Sequence, residues 1–79
     1  MEYLALFFTQ SGALKYQRYL FSLSIEGKLR PVPRKLSSSC GLAVYFSFTA
    51  DWQQLLHADL QKLYQINEGE YQLCFSAQE

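Results

Sequence analysis

The sequence predicts one α+β domain with elements in the order βαββαβ. Three observations carry that expectation. Apolar runs open and close the chain with strand character. Two stretches repeat apolar residues at spacings of three and four, as the buried stripe of a helix does. Between them, two prolines flank a short extended segment, which places it at a sheet edge because proline cannot donate to a ladder.

Taken in order, "EYLALFFT" at residues 2–9 is a short aromatic-rich run that reads as a strand buried on both faces. Ser11 is a candidate helix N-cap, and Ala13, Tyr16, Leu20 and Leu23 form the first stripe, closed by Gly27. "KLRPVP" is the edge strand. "GLAVYFSF" alternates Leu42, Val44, Phe46 and Phe48 on one face with Ala43, Tyr45 and Ser47 on the other. Thr49 or Asp51 is placed to cap a second helix whose stripe is Trp52, Leu55, Leu56, Leu60 and Leu63. Asn67 and Gly69 mark its exit, and "YQLCF" is the last strand. The connectivity predicts the ferredoxin-like split βαβ: an antiparallel four-stranded sheet in order 4-1-3-2 with two helices on one face. Such helices leave the other face bare, with one alternation of the first strand beside Ala43 and Tyr45. A homodimer through that open face is the expected cover.

Seventy-nine residues make a single domain, 1–79. An apolar share of 49% with 16% aromatics supplies a core without a metal or disulfide, so no cofactor is expected. Charge is balanced overall but segregated. Residues 15–35 hold Lys15, Arg18, Lys28, Arg30, Arg34 and Lys35 against Glu26, whereas the remainder holds Lys62 against six acids. This suits a small anion or an acidic protein surface and does not specify nucleic acid. With no membrane-length apolar run and no leader pattern, the expected compartment is the cytoplasm, where thiols stay reduced.

The chemistry-bearing stretch is the long connection "RKLSSSCG". Ser37, Ser38 and Ser39 supply hydroxyl and backbone donors, Gly41 permits a close approach or a positive φ, and Arg34 and Lys35 bring positive charge. Such surroundings favour a thiolate, so Cys40 is the candidate nucleophile. Its bland alternative is a small packing residue at a strand start. Cys74 lacks flanking cations, His57 has no partner at metal-ligand spacing, and Asp51 and Asp59 read as cap and surface residues. No phosphate loop or catalytic triad is present.

"PVPRKLSSSCGLAVYF", with "SGALKYQRYL" at the first helix, resembles a small bacterial family of uncharacterised domains labelled putative selenium/sulfur carrier protein-like. The resemblance rests on Pro31, Pro33, Arg34, Ser37, Ser38, Ser39, Cys40 and Gly41. It implies a non-enzymatic carrier that holds sulfur or selenium on Cys40 as a persulfide-type adduct. A cysteine-desulfurase-like donor would supply the atom and an acceptor protein would receive it. The Cys-Pro-x-Pro motif of the better-known small sulfur carriers is missing. The alternative is a module that binds RNA or a small anion through the open sheet face and the basic serine-rich loop. Matched to the third-strand motif of RNA-recognition domains, however, Cys40 falls at a cation position and Leu42 and Ser47 fall at aromatic positions.

Overall fold

The computed structural model describes residues 1–77. Strand β1 (Glu2–Phe7) leads into helix α1 (Gln10–Ser22), followed by β2 (Lys28–Pro31), β3 (Leu42–Ser47), a single 3-10 turn (Trp52–Leu55), β4 (Leu60–Asn67) and β5 (Glu70–Ser76). The strands form one antiparallel sheet in the order β2-β3-β1-β4-β5. The ferredoxin-like plan is therefore incorrect. Among the described residues there is one α-helix, and a fifth strand stands where the second helix was expected.

The reason lies in one irregularity. Leu60 pairs with Phe7 and Lys62 with Leu6, so Gln61 is an extra residue on β4. On a regular strand, residues three apart point to opposite faces. The bulge returns Leu60 and Leu63 to the same face, where both are fully buried. Their spacing thus imitates a helix. Asp51 does cap a turn, its Oδ1 accepting from Gln53 N–H at 3.0 Å, but Leu56 is already extended at ψ 141°. Asn67 and Gly69 belong to a hairpin rather than a helix exit. Asn67 pairs with Glu70, and Glu68 (φ 51°) and Gly69 (φ 80°) both take positive φ, as a type I′ turn requires.

The remaining elements form for the expected reasons, with adjustments. Thr9 rather than Ser11 caps α1, accepting from Gly12 N–H at 3.0 Å. Ala13, Tyr16 and Leu20 are buried, while Leu23 lies at the C-cap and is exposed. β2 occupies the sheet edge, as its prolines dictate.

Helix α1 covers one face of the sheet, over Tyr3, Ala5, Phe7, Val44, Phe46, Leu60 and Leu63. Tyr16 anchors it. Its ring lies 5.2 Å from that of Phe7 and 6.1 Å from that of Phe46, and its hydroxyl donates to Leu55 O at 2.9 Å. The opposite face is not bare either. Leu4, Leu6 and Ala43 are wholly buried beneath Val32 and Leu36 of the β2–β3 loop, with Tyr45, Tyr64, Ile66 and Tyr71 around them. The chain covers its own second face, and the reason for expecting a dimer there is gone.

Two outcomes test this packing. Leu6→Ala should cost about 2–5 kcal/mol in denaturant unfolding, as a buried leucine does and a surface one does not. Tyr16→Phe should cost about 1–3 kcal/mol by leaving Leu55 O unpaired in the core. Burial also holds the Tyr16 hydroxyl well above the usual tyrosine range. The folded state then keeps a proton that the unfolded chain releases above pH ~10. Stability from this group is present below that pH and falls as pH rises beyond it, a decline that Tyr16→Phe should flatten.

Candidate functional site

The connection from Val32 to Gly41 is closed at its base, Val32 N–H donating to Gly41 O at 3.1 Å. Pro33 to Leu36 make a turn, with Leu36 N–H on Pro33 O at 3.0 Å. The loop straddles the end of the sheet. Val32 and Leu36 pack on the face away from the helix, whereas Cys40 packs on the helix side. Ser38 ties this crossing to the central strand, its hydroxyl donating to Phe7 O at 3.0 Å. The same Oγ accepts from Cys40 N–H at 3.4 Å, so a hydrogen-bonded line runs from Cys40 through Ser38 to the end of β1.

The half-buried thiol is held by its own strand entrance. Leu42 N–H donates to Sγ at 3.4 Å, and Leu42 O lies at the same distance as an acceptor for S–H. Ser38 Oγ lies 3.9 Å from Sγ. Gly41 turns the chain between these groups at φ +75°, with open space where a side chain would project. Gln10, the first residue of α1, donates its amide to Cys40 O at 3.5 Å. Cys40 thus stands where β1 gives way to the helix N-terminus. Chemically the arrangement presents a restrained, partly accessible sulfur with a backbone donor, which suits a thiolate or a sulfur anion attached to it.

Ser38, Cys40 and Gly41 are brought together as the sequence suggests. Ser37 and Ser39 are exposed, as are Arg34 and Lys35 in the turn, and none of these four supplies a hydrogen-bond partner to Sγ. Gln10, Leu42 N–H and Phe7 O are contributors that sequence reasoning missed. A lone glutamine and two backbone groups leave no mark in a residue pattern. Cys74 packs on the helix side, as the extra residue between Leu73 and Phe75 in the β4–β5 ladder. His57 Nδ1 accepts from Asp59 N–H at 3.2 Å in a local turn, and no metal-binding cluster exists among the described residues.

The family model described as putative Se/S carrier protein-like matches residues 2–65. The chain belongs to that family. In this Se/S carrier-like chain the match takes in β1, the helix, the whole β2–β3 loop with Cys40, and β4 up to Gln65. No curated protein and no solved structure matches the carrier-like chain. No helix among the described residues is long and apolar enough to cross a membrane.

Both cysteines are free. The strands carrying or adjoining them, β3 and β5, are three spacings apart, roughly 14 Å, beyond disulfide reach. Burial pushes the Cys74 thiol up, partly offset by a backbone hydrogen bond from Gln65. Cys40 should therefore alkylate faster near neutral pH. Iodoacetamide rates on Cys40→Ser and Cys74→Ser proteins measure this, and equal rates would remove the distinction between the two thiols.

Proposed function

We propose that the protein carries a sulfur or selenium atom on Cys40 between partner proteins, as a persulfide-type adduct. The observation that supports this most is the placement of the thiol. The one cysteine in the family-matched region is partly accessible, bonded by Leu42 N–H, and fixed at the β1–α1 junction by the Ser38 tether.

The loading step balances without an added oxidant. The Cys40 thiolate attacks the outer sulfur of a persulfide on a desulfurase-like donor. A bond forms between Cys40 Sγ and that sulfur while the donor's S–S bond breaks. The donor cysteine leaves as a thiolate, and any proton on the outer sulfur travels with it. The Leu42 N–H steadies Sγ during the exchange, and the Ser38 hydroxyl borders the space into which the new sulfur extends. Delivery is the same exchange, with the acceptor's thiolate attacking. Arg34 and Lys35 act at longer range, as an exposed cationic turn on the same loop that favours an anionic sulfur and an acidic partner surface. The RNA-binding alternative drew on the βαββαβ plan and loses that support with it.

The test is mass spectrometry after incubation with a cysteine desulfurase and cysteine. Wild type and Cys40→Ala/Cys74→Ala singles should separate cleanly: one added sulfur on wild type and Cys74→Ala, removed by reductant, and none on Cys40→Ala. An adduct that follows Cys74, or none at all, ends this reading.

A further inference from the structure

The two edges of the sheet are built differently. β2 is four residues long, carries Lys28 and Arg30, and ends in Pro31 with Pro33 beyond it. Short length, cations and proline are the devices that stop an edge from adding another strand. β5, at the other edge, has none of them. It runs for seven residues, Glu70–Ser76, with no proline, lysine or arginine, and its only charge is Glu70 at the start. Gln72 and Leu73 are exposed at its middle, Leu73 at 53%. The extra residue at Cys74 twists the far end but leaves Glu70–Leu73 in regular register with Tyr64–Asn67. Alternate residues of this strand direct their backbone donors and acceptors outward, unpaired and unguarded, and these form a template for strand pairing.

We infer that β5 pairs antiparallel with β5 of a second copy, making one continuous ten-stranded sheet about a two-fold axis. The strand's own pattern selects the copy as its partner. Opposite residues in an antiparallel pair must share a face. A two-fold at Gln72 satisfies this across the regular segment, because Tyr71 and Leu73 both lie on the face away from the helix, through their pairing with Ile66 and Tyr64. Leu73 of one copy then meets Tyr71 of the other on both sides of the axis, covering the exposed leucine. Gln72 meets Gln72, whose amides complement each other, and Glu70 meets Cys74. No like charges are opposed anywhere in the register. An isologous pairing of this kind closes after two copies, since the guarded β2 edge ends the sheet at each side.

Sedimentation velocity over a concentration series, with wild type, Leu73→Lys, Gln72→Lys and the helix-surface control Leu14→Lys, tests the proposal. Circular dichroism checks that each variant is folded. Wild type and Leu14→Lys should pass from monomer to dimer as concentration rises, while the two β5 variants stay monomeric. Because both β5 substitutions are at exposed positions, loss of fold in one leaves the other to decide, and concentration-dependent amide protection of β5 in wild type reads the same contact without mutation. A monomeric wild type at all concentrations overturns the pairing and leaves the edge for a strand from another protein. Dimers that persist in a folded β5 variant overturn it as well. Sulfur loading of Cys40 is independent of either result.

Discussion

Everything in this small domain follows from a central strand that is apolar on both sides. From Tyr3 to Phe7 no residue of β1 reaches solvent to any extent that matters. One face can be satisfied by the helix, and Tyr16 fixes that helix through its ring contacts and its bond to Leu55 O. The other face needs a cover that a 79-residue chain has few means to provide. The β2–β3 loop supplies it with Val32 and Leu36, and the five residues from Leu36 to Cys40 carry the chain around the end of the sheet to the helix side. The cysteine stands where it does because the loop must make that crossing. Ser38, bonded to the end of β1, fixes the crossing point. The same segment therefore completes the core and presents the thiol.

The sequence made the N-terminal two-thirds legible and misled about the rest, for reasons that can be located. Alternation in "GLAVYFSF" assigned every face of β3 correctly, and two prolines put β2 at an edge. The second helix already fails at Leu56, which is extended, and the spacing that misled most lies at Leu60 and Leu63. A bulge is one residue long and has no composition of its own, yet it turned the even spacing of a strand into the odd spacing of a helix. The better signal lay in "LYQINEGEYQLCF", where two similar short runs flank a glycine-containing turn. Glu68 in the first turn position hid the hairpin, since asparagine or aspartate is the more usual residue there. The candidate site was legible in its cysteine, glycine and middle serine. The tether to Phe7 O and the donor from Leu42 were not, because backbone groups appear at a site only through tertiary structure.

Membership of the Se/S carrier-like family and the geometry around Cys40 bear on the same residue from different directions. The family match covers the loop without saying what the sulfur does. The geometry shows a thiol restrained by neutral donors, with the loop's cations set apart in an exposed turn rather than on the sulfur itself. For the carrier role proposed above, that separation would suit uptake and release of the sulfur. A guanidinium bonded directly to the adduct would favour retention, whereas a weak N–H contact holds position at little cost to transfer.

The position of β1 also governs how the chain reaches its native state. The first strand in sequence pairs with β3, some forty residues later, and with β4, nearly sixty residues later. Its hydrophobic faces thus stay unsatisfied until almost the whole polypeptide exists, and loop closure over those separations makes folding slower than in a domain of local contacts. The β4–β5 hairpin, with its two-residue turn, is the one long-stranded unit that can form from neighbouring sequence alone. Local contacts thus favour that hairpin, whereas every pairing of β1 carries the larger loop-closure cost. Because Ser38 is bonded to Phe7 O, the loop bearing Cys40 is complete only with β1 in place, so the sulfur site depends on those long-range pairings.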